Sequence, residues 1–409
     1  MKTFRLLVAL LLALPAAIYA QSNFKPAYIL KLNGDTLKGY INYREWNITP
    51  ENIEFKPSLS SKSITKFQPS QISGFGINNI DRYISYMGRI SADNNIFPEL
   101  PSQLDTTTKL DTVFLHLSYT GKPLSLLSQR DNQKYRYFVQ ENNGPITELK
   151  MHQYYNESSQ LSTANPYIDV LYQLSNKYNP TAKNINLNIQ KTDFVQSDIV
   201  RIIKIINSDR SKNTPSMIGT KFFAGVIMSR ITTEFKGNFD FSGIPSTSYF
   251  PRITGGIDLF TNKYTQKLIW RGELTFSMLK ASFKLNNKQY PREYAINQFS
   301  ASLTPQVLYS FYNTDNFKFY MGAGIGLNLS TYPKNTYTEF SEPKASVQDD
   351  YLAHLLTYWT NVNIRAGFIL YKKFDINLLY LPPITYSNQL YFSVSSTVYG
   401  LGVNYRFGK

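Results

Sequence analysis

From Lys221 onward the chain alternates apolar and polar residues over strand-length stretches. In the clearest, Leu268 to Met278, one side holds Leu268, Trp270, Gly272, Leu274, Phe276 and Met278, and the other Arg271, Glu273, Thr275 and Ser277. A period of two is that of a β-strand with two unlike faces. Its length matches the roughly 9 to 11 residues of a tilted strand crossing a bilayer. The pattern recurs at Ile253 to Leu259, Phe299 to Tyr309, Phe317 to Leu327, Val362 to Phe368 and Leu401 to Phe407. Pro305 lies inside one of these and predicts a bulge or a local break, because proline has no amide to give a ladder. With Lys221 to Ile231 and Phe374 to Tyr380, the count reaches about eight strands, an even number as closure of such a barrel requires.

The connections alternate in length. Phe235 to Pro251, Ala281 to Ile296 and Thr331 to His354 are long, and Ile384 to Gln389 is the shortest of that set. Thr261 to Gln266, Tyr312 to Asn316 and Tyr371 to Lys373 fall between them as turns. Long connections on one end and short turns on the other are expected of surface loops and periplasmic turns. This places the N-terminal part and the C-terminus on the periplasmic side.

Before the barrel, short apolar stretches are separated by turn residues. Tyr28 to Leu32 and Leu37 to Tyr43 flank Asn33-Gly34-Asp35, a hairpin signal. Ile64 to Phe67, Ile72 to Ile77, Val113 to Ser118, Leu124 to Leu127 and Tyr135 to Gln140 read as further strands. Two helices are predicted to close this domain. The first follows Asn165 as cap and Pro166 in its first turn, with Tyr167, Leu171, Leu174 and Tyr178 on one face. The second runs from Asp198 to Ile206 behind Ser197 as cap, with a stripe of Ile199, Ile202, Ile203 and Ile206 read as core.

The chain's start carries Lys2 and Arg5, an apolar run from Leu6 to Ile18, and Ala20 before Gln21, the layout of a secretory signal peptide. No apolar run reaches the roughly 20 residues of a spanning helix, which excludes a helical membrane protein. The expected organisation is residues 1–20 as signal, 21–206 as a periplasmic β-rich domain closed by two helices, 207–216 as linker and 217–409 as barrel. The fold class is thus mainly β: a small α+β domain, then an antiparallel transmembrane β-barrel. Composition agrees, with 31 Tyr and 27 Phe against only 17 % charged residues. Cysteine is absent, so there is no disulfide, thiolate metal site or lipidated cysteine. Losing Lys2 and Arg5 lowers the formal charge from +15 to +13. Export argues against nucleic acid as partner and points to outer-membrane lipid, lipopolysaccharide and an envelope or periplasmic protein.

The signal ending at Ala20-Gln21, the segment Asn33-Gly34-Asp35-Thr36-Leu37-Lys38-Gly39-Tyr40-Ile41, the glycine-rich alternating strands and the closing Tyr405-Arg406-Phe407 together resemble the outer-membrane β-barrel proteins of Bacteroidota. That broad group includes relatives of the PorT secretion component. The resemblance spans nearly the whole chain and implies an outer-membrane location. One departure is that Gly408-Lys409 follows Phe407, where many such proteins end on the aromatic.

Eight charged residues fall on the inward phase of the strands: Arg252, Asp258, Arg271, Glu273, Lys318, Arg365, Asp375 and Arg406. A barrel of this size is just wide enough for its own side chains. These charges are therefore expected to form a salt-bridged filling, since an unpaired one would cost several kcal/mol. The alternative is a narrow ligand or ion path. The Gly322, Gly324 and Gly326 series reads as close packing in the wall. The histidines are His116, His152 and His354, and only His354, at the rim, could serve a lipid-modifying enzyme in the barrel. No metal spacing, cofactor motif or catalytic set is expected. The Thr331 to His354 loop holds Tyr332, Tyr337, Phe340 and Tyr351 among Glu339, Glu342, Asp349 and Asp350, a mixture suited to binding or simply to a mobile loop. The expected function is a non-enzymatic barrel that anchors a periplasmic interaction domain and displays loops.

Overall fold

The computed structural model describes residues 23–209, 211, 218–285, 290–314, 316–341, 344–347 and 353–408. The signal segment, most of the expected linker, and Glu342, Asp349, Asp350 and Tyr351 lie outside the described residues. The chain divides into two compact units, meeting in sequence between Pro215 and Ser216.

The N-terminal unit is built on one ten-stranded antiparallel sheet. Strands β1 (Phe24–Lys31) and β2 (Thr36–Asn42) form the predicted hairpin, with Gly34 at φ +87° supplying the left-handed turn residue. β3 (Ile53–Lys56), β4 (Thr65–Phe67), β5 (Ile72–Ile77), β6 (Asp81–Ser91), β7 (Thr108–Tyr119), β8 (Leu124–Arg130), β9 (Tyr135–Glu141) and β10 (Ile146–Leu149) complete it. A separate hairpin, β11 (His152–Tyr155) with β12 (Leu161–Ala164), follows. One face carries an aromatic cluster in which Phe75 stacks on Tyr83 and Trp46 meets both edge-on.

Three helices, not two, cover Leu124, Leu126, Tyr137 and Val139: α1 (Pro166–Tyr178), α2 (Ile185–Gln190) and α3 (Gln196–Ile206). The stripes Tyr167, Leu171, Leu174 and Ile199, Ile202, Ile203, Ile206 are buried there. Asn165 stands at the cap position without a capping bond, because the Tyr167 amide already donates to the Lys150 carbonyl at 3.0 Å. Ser197 lies inside α3, which Val195 precedes instead. Asn207, expected as linker, is folded in: its side chain accepts from the Leu124 amide at 3.0 Å and donates to the Leu124 carbonyl at 2.8 Å.

The C-terminal unit is a closed eight-stranded antiparallel ring of β13 (Gly219–Gly237), β14 (Ser246–Phe260), β15 (Leu268–Leu285), β16 (Arg292–Asn313), β17 (Phe317–Ser341), β19 (Tyr358–Leu370), β20 (Phe374–Thr385) and β21 (Phe392–Phe407), with the short β18 (Lys344–Val347) on β17. Each strand pairs with its sequence neighbours, and β13 with β21 closes the ring. Pro305 causes a break without a bulge. Pairing with β17 skips Thr304 and Pro305 and resumes in the same register, Leu303 opposite Leu327 and Gln306 opposite Gly324. Gly324 accommodates it, since a Cβ there would lie 2.4 Å from the Pro305 carbonyl oxygen.

The long connections prove to be mostly strand. β13 and β14 are joined by 238–245 and β15 and β16 by 286–291, and β17 runs ten residues past Thr331. The cause is a reversal of phase. Along β15, Trp270, Leu274, Phe276 and Met278 are exposed, while from Leu279 the apolar side turns inward with Ala281 and Phe283, leaving Lys280, Ser282 and Lys284 outside. β13 does the same, with Phe222, Val226 and Met228 exposed but Ile231 and Phe235 buried. The outside of the barrel is therefore apolar near the short turns and polar beyond.

Candidate functional site: the filled barrel interior

Alternation sends every second side chain of a barrel strand inward. All eight charged residues singled out in the sequence are buried there, joined by Lys221. Near the short turns Arg271 is the hub. Its Nε and Nη2 donate to Asp258 at 2.7 and 3.1 Å, and Nη1 donates to Asp375 at 2.8 Å. Arg406 Nε reaches the same Asp258 at 3.0 Å. Tyr320 OH donates to Asp375 at 2.7 Å and Asn404 Nδ2 at 3.2 Å. The Phe223 ring lies 4.3 Å under the Arg271 guanidinium, in space left by Gly256.

Arg365 forms a separate fork with Glu273, two bonds of 2.7 Å. Such bidentate pairs are among the strongest polar contacts available to a buried carboxylate. Lys318 donates to the Thr265 carbonyl at 2.5 Å and to Asn313, and Lys221 to the Lys372 carbonyl at 3.1 Å, both at the short-turn mouth. Arg252 is buried in the same interior but joins neither cluster.

Above the charges lies a neutral polar layer. Gln298 Nε2 and Trp359 Nε1 donate to Ser330 Oγ at 3.0 and 2.8 Å, and Asn328 Nδ2 donates to Asn361 at 2.9 Å. The far end is closed by an apolar plug that the sequence did not predict. Phe235 packs at 4.8 Å from Phe283 and 5.0 Å from Tyr294, and Phe239 stacks on Phe392 at 4.2 Å. Tyr337, Phe241, Tyr386 and Ile231 belong to the same core. Tyr294 OH accepts from the Ala353 amide at 2.6 Å and donates to Asn335 at 2.8 Å, tying the outer segment of the chain to the plug. Thus Tyr332 and Tyr337, expected in a surface loop, pack inward, while Phe340 is exposed.

His354 is exposed in the stretch before β19, and its carbonyl accepts from the Asn388 amide at 2.8 Å. The other two histidines belong to the N-terminal unit. His116 meets Asp81 at 3.0 Å, and His152 meets Asp93 at 2.9 Å. Asp93 also accepts from Lys134 Nζ at 2.7 and 2.9 Å, a buried trio that sequence reasoning missed. Burial pushes the Lys134 ammonium below the usual lysine range, with Asp93 opposing that shift. Nearby, buried Arg136 donates to the Ser91 carbonyl, Gln129 and Asp131 at 2.9, 2.7 and 2.6 Å. These polar contacts rivet the 92–107 segment and β11 to the sheet.

No protein-family model and no curated protein matches the chain. Among solved structures, it is similar to Ail, the attachment invasion locus protein of Yersinia pestis, in complex with the heparin analogue sucrose octasulfate. Identity is 13 %, over 46 % of this chain and 99 % of that one, with a TM-score of 0.25. Neisserial surface protein A gives 15 %, 46 %, 99 % and 0.25. The outer membrane protein OprG from Pseudomonas aeruginosa gives 12 %, 47 %, 97 % and 0.28. At such scores these likenesses carry no argument. The barrel stands on its own closed ladder.

Proposed function

We propose that this chain is a non-enzymatic outer-membrane barrel, closed to solutes, that anchors a periplasmic interaction domain and raises stiff β-hairpins above the membrane. The observation that carries this is the phase reversal along the strands. An exposed apolar exterior suits lipid, and an inward apolar face with a polar exterior suits water on the outside. The aromatic residues at the short-turn edge support it: Phe317 lies 5.3 Å from Phe368, and Tyr405 lies 5.4 Å from Phe374 and 5.0 Å from Phe407, a girdle of the kind found at a lipid interface.

The two ends of the ring, Gly219 and Phe407, lie on the short-turn side. If short turns face the periplasm, the chain before Gly219 does too. Exposed Arg230 and Lys280, just past the apolar stretch, suit the phosphates of lipopolysaccharide. The plug speaks against solute passage, and the exposed His354 gains no support as a catalytic base. Kinship with the Bacteroidota barrels rests on the sequence features alone.

Protease treatment of intact cells tests the topology, with one epitope tag between Ser341 and Ala353 and another in the N-terminal unit. Cleavage of the outer tag alone is expected. Cleavage of the N-terminal tag alone would invert the protein, and recovery of both in a soluble fraction would reject membrane insertion.

A further inference from the structure

Away from the short-turn mouth, the interior charges are matched in clusters with one exception. Among the described residues the barrel buries six cations, Lys221, Arg252, Arg271, Lys318, Arg365 and Arg406, against Asp258, Glu273 and Asp375. Arg271 and Arg406 with Asp258 and Asp375 form a neutral group, and Arg365 with Glu273 a neutral pair. The two lysines sit on backbone carbonyls at the short-turn mouth. That leaves Arg252, only 9 % exposed, with Nε buried and without a hydrogen bond or ion pair among the described residues. Glu273 is close enough to act on Arg252 electrostatically, but both of its oxygens are held by Arg365, whose own charge opposes that attraction. An arginine cannot shed its proton to escape such a site.

Arg252 lines a cavity of about 30 Å³ between the charged layer and the plug, whose lining also includes the polar Ser277, Ser300, Ser396 and Gln298 and the apolar Ile231 and Leu279. About 10 to 15 Å³ on this scale holds a water, so the space takes two waters or one small anion. Ser300 and Ser396 are engaged with Ser330, Thr233 and Tyr386. No side-chain hydrogen bond of Ser277 is found among the described residues, which leaves its hydroxyl free to donate.

We propose that this cavity is a binding site for a small monovalent anion of the halide class, held by the Arg252 guanidinium with the Ser277 hydroxyl and enclosed when the barrel folds. The anion supplies the one negative charge that the neighbouring clusters do not. Waters would satisfy the hydrogen bonds but leave the buried charge uncompensated.

Bromide is the probe. Crystals of the full chain grown in sodium bromide should show one anomalous peak in this cavity, and a cavity holding only water would overturn the proposal. In detergent, unfolding of the full chain should depend on bromide at constant ionic strength, with gluconate as the large counter-anion. Above saturation each tenfold rise in bromide should raise the folded-to-unfolded ratio about tenfold. Arg252→Met should abolish that dependence and Ser277→Ala should weaken it. An equal dependence in Arg252→Met would sink the assignment. Should Arg252→Met not fold, the diffraction experiment on the unaltered protein decides.

Discussion

Asp209 shows at the scale of one residue how the end of α3 is fastened. Tyr119 OH donates to its carboxylate at 2.7 Å, and the Ser211 amide and hydroxyl donate at 2.8 and 3.1 Å. The Tyr119 bond first, then those from Ser211, lower its pKa from the usual carboxylate range to about 2. A carboxylate depressed on folding contributes stability that is present above its unfolded value and lost as pH falls through the folded one. Asp209→Asn should therefore destabilise the N-terminal unit at pH 5, with the difference from the unaltered protein shrinking between pH 4 and pH 2. Urea unfolding followed by fluorescence across that range checks this; a constant difference would rule the charge out. At this scale the sequence was informative about one thing and blind to another. Strand phase alone placed Arg271, Asp258 and Asp375 inside, because a period of two fixes the face. Their pairing was illegible, since Arg271 and Asp375 are 104 residues apart and meet only across a closed ring. Asp93, Lys134 and His152 carry no phase signal at all, as they come from the loop after β6, the turn before β9 and the first residue of β11.

At the scale of elements, the phase reversal explains why β15 was expected to end at Met278 although it continues to Leu285. A single alternating rule reads the change from Met278 outward to Leu279 inward as the end of a strand. The register shows otherwise, since β15 stays paired with β16 from Leu268 through Leu285 without a shift. What changes is the surroundings on each side of the wall, not the backbone. This makes the position of the boundary testable with one substitution on each side of it. Leu274→Arg puts a charge on the exposed apolar stretch, which at the middle of a bilayer costs about 2 to 4 kcal/mol. Ser282→Arg puts the same charge on the outer surface beyond the reversal and should cost under about 0.5 kcal/mol, as for an ordinary surface change. Refolding equilibria in lipid vesicles measure both, and equal penalties would mean that the apolar stretch is not the lipid-facing one. The same reasoning accounts for the missed helix α2, whose six residues are too few for a helical period to show.

At the scale of the whole barrel, three fillings lie in series along the interior: ion-paired arginines, a layer of Asn, Gln and Ser, and the aromatic plug around Phe235. Each closes the interior for a different physical reason. The charged layer is held by strong short contacts, and the plug by apolar burial in a part of the barrel whose outside is already polar. A solute path would need all three to open together. The unaltered protein in planar bilayers is accordingly expected to give no steady conductance. Replacing Phe235 and Phe241 together by alanine should cost about 3 to 5 kcal/mol for each ring and still leave the bilayer silent, because the arginine layer remains. Regular conductance steps from the unaltered protein would show that the filling is not permanent. Steps only in the double variant would instead make the plug the sole barrier, and the arginine cluster would then belong to a passage and not to a seal.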